Sequence, residues 1–134
     1  MKIGACIGCE YCLEYKGKCT LRDDMSEVLD ALYKADAVVW ASPVYYFSLT
    51  AQLKAAIDRT YPLINRNVKR AALLLTCAYQ SSDTAAGALA IYHGTVKYYE
   101  WVDAGVIIAA GVEHINDIEG REELEQARAL GHAI

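Results

Sequence analysis

Apolar and polar residues along the 134-residue chain follow two alternating periods. Asp24 stands three residues before Glu27, a capping-box pattern that predicts a helix start. Val28, Leu29, Leu32 and Tyr33 then share one helical face. Residues 37–41 form a short continuous apolar run, the mark of a strand buried on both faces, and Pro43 ends it. A second helix is expected from Thr50, with Leu53, Ala56 and Ile57 inward and Lys54, Asp58 and Arg59 on its polar side. Pro62 should stop or kink it. A second buried strand is predicted at residues 71–76, a helix at 85–101, a third strand at 105–110 and a final amphipathic helix at 122–130.

Strand and helix alternate, and each strand is apolar throughout. That order predicts an α/β fold, a parallel sheet with helices on both faces. Three strands make a small sheet, and so apolar an edge would be a pairing hazard unless something covers it. Either a second chain does so, or part of the domain is missing. The length suits one domain over residues 1–134. Hydrophobic residues are 54% and charged residues 22%, which argues against disorder. A net charge of -4 argues against a nucleic-acid surface. No apolar run is long enough to cross a bilayer, and the start lacks a secretory apolar stretch, so the expected location is the cytoplasm.

In a reducing compartment, clustered cysteines read as metal-binding or redox-active. Two residues separate Cys6 from Cys9 and Cys9 from Cys12, and Cys19 follows after six more. This cysteine loop, residues 6–19, could hold an iron–sulfur cluster, a zinc ion, or unmetallated thiols. Cys77 stands apart and is expected in the core. His93, His114 and His132 lack metal-ligand spacing, and His93 belongs to an aromatic stretch with Tyr92, Tyr98, Tyr99 and Trp101 suited to packing or a subunit contact.

The run Cys6-Ile7-Gly8-Cys9-Glu10-Tyr11-Cys12, with Gly17-Lys18-Cys19 and Asp23-Asp24-Met25, resembles the flavodoxin-like NAD(P)H-dependent FMN reductases, and within them the iron–sulfur flavoproteins. Ala35-Asp36-Ala37, Ser42-Pro43-Val44-Tyr45 and the stretch from Lys54 to Asp58-Arg59 continue the pattern in order. The resemblance implies a flavodoxin-like three-layer parallel sheet, of strand order 2-1-3-4-5, in which this chain carries the equivalents of strands 3, 4 and 5. It is expected to lack the first β-α-β unit and its phosphate-binding loop, which would weaken FMN binding. The expected ring-binding residues are Pro43, Val44, Tyr45, Tyr46, Phe47 and Ser48 after the first strand, and Thr76 and Tyr79 after the second. Ser82 or Asp83 is expected to cap the next helix. The resemblance implies FMN and a [4Fe–4S] cluster on Cys6, Cys9, Cys12 and Cys19 as cofactors. It further implies NAD(P)H as donor, an unidentified electron acceptor and a homodimer or higher oligomer. Lys54, Asp58 and Arg59 are expected to be structural, and no side chain need serve as an acid or base. The alternative is a non-catalytic dimerising or metal-binding module without functional FMN binding.

Overall fold

A computed structural model describes residues 1–63 and 69–134. Two compact units divide the chain: Met1–Ala35 with Ala51–Asn67, and Asp36–Thr50 with Val68–Ile134.

The first unit holds the cysteine loop and three helices, α1 (Tyr11–Glu14), α2 (Met25–Lys34) and α3 (Ala51–Asp58), followed by a 3-10 turn at Tyr61–Leu63. Pro62 therefore stops the helix, as expected. α2 begins where the sequence predicts, but not by the predicted device. Asp24 makes no side-chain cap. Its Oδ2 instead accepts the Lys2 N–H at 2.6 Å, and Asp23 Oδ1 accepts the Met25 N–H at 3.2 Å. Asp24 itself has helical dihedrals (φ -66, ψ -5), which turn its carboxylate away from the orphan donors above it. Met25 and Leu29 are the buried positions of the helix. Lys54 Nζ and Asp58 Oδ1 pair at 2.5 Å across one turn of α3.

The second unit is a three-stranded sheet of order β1 (Ala37–Pro43), β2 (Arg70–Cys77), β3 (Val102–Ala110), parallel throughout. Trp40 lies beside Leu73 and Leu73 beside Val106, while Ala41, Leu74 and Ile107 form the next row. Neighbouring rows point to opposite faces. One face takes α4 (Ala86–Tyr98), whose buried Tyr92 meets Trp40 edge-on at 5.7 Å and donates its hydroxyl toward Ala71 O and Asp103 Oδ1, each at 2.7 Å. The other takes α5 (Glu122–Ala133), which lies against β3. A cavity of about 370 Å³ remains between its Leu124 and Ala127 and the sheet residues Ala41, Leu74 and Ile107.

The central strand is buried on both faces, as its apolar run predicts. β1 is not. It alternates, with Trp40 and Ser42 buried and Val39 44% exposed. Among the described residues it pairs only with β2, so it stands at the edge of this sheet, and Pro43 at its last position needs no ladder donor. α4 ends at Tyr98 rather than near Trp101, because Glu100 turns left-handed (φ 55) and the Trp101 N–H closes back on Val96 O at 3.0 Å. Tyr92 and Trp101 thereby enter the core, which removes them from the proposed aromatic contact surface and leaves Tyr98 exposed. His93 Nδ1 stands 3.5 Å from Asp103 Oδ2.

Candidate functional site

The carboxyl ends of parallel strands are where open α/β sheets bind ligands, since strand-end loops there converge with free backbone groups. Pro43 and Thr76 are register partners at the tips of β1 and β2. The Val44 N–H donates to Thr76 O at 2.7 Å, which carries the ladder one step into the loop. The chain then reverses. Tyr45 and Ser48 exchange backbone hydrogen bonds of 3.0 and 3.1 Å, and Tyr46 and Phe47 take left-handed dihedrals (φ 48 and 65). Two successive non-glycine residues in that region are strained, a condition that clusters at ligand sites. The reversal pushes the side chains outward, so Tyr46 is 98% exposed.

The loop after β2 is pinned from β3. The Gly111 N–H donates to Tyr79 O at 3.0 Å and the Val112 N–H to Cys77 O at 2.9 Å. Ser81 Oγ accepts the Asp83 N–H at 3.2 Å, so Ser81 caps the turn leading into α4, not the predicted Ser82 or Asp83. Ser81 is extended (φ -90, ψ 130), the conformation that lets a side chain reach forward, whereas Ser82 and Asp83 already lie inside the turn.

A cavity of about 270 Å³ opens between the two loops, lined by Val44, Tyr46, Phe47, Cys77, Ala78, Tyr79 and Thr84. Of the sequence-expected ring contacts, Val44, Tyr46, Phe47 and Tyr79 come together there. Pro43 and Thr76 line the cavity under α5 instead, and Tyr45 and Ser48 close the loop through their backbones. Cys77 is buried, as expected, and its thiol faces the Tyr79 carbonyl at 3.6 Å.

Gly87 escaped the sequence reading. A Cβ there would collide with the carbonyl oxygen of Phe47. The absence of a side chain at the start of α4 is what lets the strained loop lie against that helix. Nothing but the glycine itself, early in a helical pattern, signals this.

In the first unit the cysteine loop winds around α1. Glu10 adopts left-handed dihedrals, α1 turns once with Cys12 inside it, and the Gly17 N–H donates to Cys12 O at 2.8 Å. Tyr11 and Tyr15 stack at 4.0 Å. All four thiols are free and line one cavity of about 250 Å³, shared with Ile7, Thr20, Leu21 and Tyr61. Burial pushes the Cys12 thiol up, against a backbone hydrogen bond, and the charges of Cys19, Cys6 and Cys9 raise it further. Among the described residues, no three His, Cys, Asp or Glu side chains gather closely enough to hold a single metal ion. Zinc needs its donors about 2.0–2.3 Å from one point. A cubane is ligated at separate corners around its own volume, so four thiols spaced around a void are the better match.

Arg59 is the residue most displaced from expectation. Read on the polar side of α3, it is 3% exposed. Nη1 donates to Asp23 Oδ2 and to Gly4 O (3.2 Å), and Nη2 donates to Cys19 Sγ at 3.3 Å. These partners, distant in sequence, draw the guanidinium inward. The Arg59 hydrogen bond and the Gly4 N–H pull the Asp23 carboxyl down to about 2.

Comparison with known proteins bears on both sites. An iron-sulfur flavoprotein of Archaeoglobus fulgidus is 35% identical over 137 aligned residues, covering 99% of this chain and 60% of that protein. The chain thus spans less than two thirds of this relative's length. Among solved structures, the Trp repressor binding protein of Bacillus subtilis superposes with a TM-score of 0.69 at 15% identity, over 80% of this chain and 75% of that one. An FMN-dependent NADH-azoreductase of Bacillus anthracis, solved in complex with FMN, superposes with a TM-score of 0.60 at 16% identity, over 81% and 61%. These likenesses establish the flavodoxin-like α/β fold. The family described as NADPH-dependent FMN reductase matches residues 4–111, and with the parallel sheet and its strand-tip loops in place, the chain belongs to that family.

Proposed function

We propose that this chain is a flavin-dependent NAD(P)H oxidoreductase or electron-transfer flavoprotein that binds FMN at the strand tips and a [4Fe–4S] cluster in the cysteine loop. The observation that carries the flavin reading is the cavity between Val44, Tyr46, Phe47 and Tyr79 at the carboxyl ends of β1 and β2. Its volume lies near the lower bound of small-molecule sites, roughly 300–1,000 Å³, which suits the ring of a mononucleotide. Bound FMN would supply hydride acceptance from a reduced nicotinamide, and a bound cluster would supply one-electron transfer.

The chain's own residues position and shield. Tyr46, Phe47 and Tyr79 offer aromatic faces on which a flat heteroaromatic ring stacks. The backbone of the Tyr45–Ser48 reversal, with Pro43 and Thr76 at the strand tips, fixes the loop that would hold the ring. Cys6, Cys9, Cys12 and Cys19 would hold the cluster. No acid or base is assigned. Residues 1–134 are read as one flavodoxin-like domain carrying the cysteine loop at 6–19.

A homodimer is part of the same proposal. β1 pairs on one side only and exposes Val39, and a second copy covering that edge would remove the pairing hazard. Five free cysteines suit a reducing cytoplasm, the proposed location.

Titrating FMN with the protein tests the flavin site. Saturable quenching of flavin fluorescence is expected, and no change at high micromolar protein would overturn the reading in favour of a module without FMN. Iron and acid-labile sulfide analysis after anaerobic purification tests the cluster. A monomer by size-exclusion chromatography with light scattering would remove the dimer.

A further inference from the structure

Arg59 is a buried cation with an unusual division of its donors. A guanidinium facing a carboxylate commonly makes two parallel hydrogen bonds. Here only Nη1 meets Asp23, while Nη2 is directed at Cys19 Sγ at 3.3 Å and Nε has no partner among the described residues. Asp23 is already engaged elsewhere, accepting the Gly4 N–H at 2.8 Å and the Met25 N–H at 3.2 Å. Asp23 compensates the charge through Nη1, while the Nη2 arm faces a sulfur that is a weak acceptor as a thiol and a stronger one as a metal-bound thiolate.

We infer that Arg59 sets the reduction potential of the metal centre from the Cys19 corner, as a positioning residue acting through that sulfur. This rests on the four-cysteine cluster reading. Reduction by an external one-electron reductant adds one negative charge, breaks no bond and leaves the guanidinium protonated. A fixed cation donating to a ligand sulfur stabilises the reduced state more than the oxidised one, and hydrogen bonds to sulfur are among the factors that set such potentials. Arg59 thus raises the potential, and Asp23, by holding Nη1, aims the second arm.

The test uses the full chain reconstituted anaerobically with ferrous iron and sulfide. Iron and labile sulfide are counted, and the midpoint potential is measured by electron paramagnetic resonance at poised potentials with dithionite and mediator dyes. Wild-type protein should bind about four irons per chain. Arg59→Gln should retain the iron and show a clearly lower midpoint. Arg59→Lys, which keeps the charge but reaches with a single ammonium, should show a smaller downward shift. An unchanged midpoint in an iron-replete Arg59→Gln overturns the inference while leaving the cluster reading intact. If Arg59→Gln fails to load, Arg59→Lys decides: a lowered midpoint upholds the inference, and an unchanged midpoint or loss of iron here too overturns it, leaving Arg59 a structural anchor. Wild-type protein without iron overturns the cluster reading itself.

Discussion

Two glycines in α4 should respond oppositely to the same substitution. Gly→Ala in a helix interior normally stabilises by roughly 0.5–1 kcal/mol, because alanine loses less backbone freedom on folding. Gly94 has nothing within 4 Å of an added Cβ, so Gly94→Ala should show that gain. At Gly87 the added methyl meets the Phe47 carbonyl oxygen, a backbone atom that cannot rotate aside. Overpacking of this kind costs about 1–3 kcal/mol. Gly87 sits in the first turn, where the propensity gain is smaller, so Gly87→Ala should be net destabilising. The two variants should differ by roughly 1–4 kcal/mol, which at an m-value of about 2 kcal/mol/M separates their urea midpoints by on the order of 0.5–2 M. The displaced Phe47–Ser48 backbone should also weaken FMN quenching in Gly87→Ala and leave Gly94→Ala at the wild-type value. Equal midpoints for the two variants would show that the loop does not rest on the helix as described, and the positioning argument for the flavin site would fail with it.

Tyr79→Ala should weaken FMN binding roughly three- to tenfold, the effect of losing one aromatic contact of about 0.5–1.5 kcal/mol, with little change in the urea midpoint because the side chain is 69% exposed. Tyr92→Phe should destabilise by about 1–3 kcal/mol, since the Ala71 carbonyl and the Asp103 carboxylate lose a buried donor; unchanged stability would mean water replaces it. The Asp23–Arg59 pair gives a pH dependence of definite sign. The Asp23 carboxyl stands at about 2 in the folded chain against 3.8 ordinarily, so its contribution is complete above the ordinary value and disappears as pH falls from about 3.8 to 2. At 1.36 kcal/mol per unit it is worth at most roughly 2.5 kcal/mol, and Asp23→Asn should abolish that part of the acid dependence in denaturation profiles.

Much of the second unit was legible because its signals are local. Buried parallel strands must be apolar throughout, so residues 71–76 announced β2. Residues 105–110 announced a strand at β3, but not a buried one, since β3 lies at the outside of the sheet with Ala109 its one buried residue. Helical periodicity announced α4 and α5 within a few residues. The strand-tip loops followed from the fold class, and Val44, Tyr46, Phe47 and Tyr79 of those loops line one cavity. Asp24 holds the N-cap position of α2 as expected, but the side chain that accepts the Met25 N–H is that of Asp23, and Ser81 rather than Ser82 or Asp83 caps the turn into α4. Adjacent carboxylates or hydroxyls offer equivalent side chains, and only the folded backbone selects between them.

The amino-acid order alone carried the alternation of strand and helix, the family, and the spacing of four cysteines in one short loop, because period, turn residues and spacing are properties of neighbours along the chain. Tertiary structure decided that β1 is a half-exposed edge, that Gly87 yields room to the Phe47 backbone, and that Arg59 turns inward to Asp23 and Cys19. Those outcomes depend on groups 33 to 40 residues apart meeting in space. No local pattern encodes such meetings, since burial and charge compensation are settled only when the whole chain has packed.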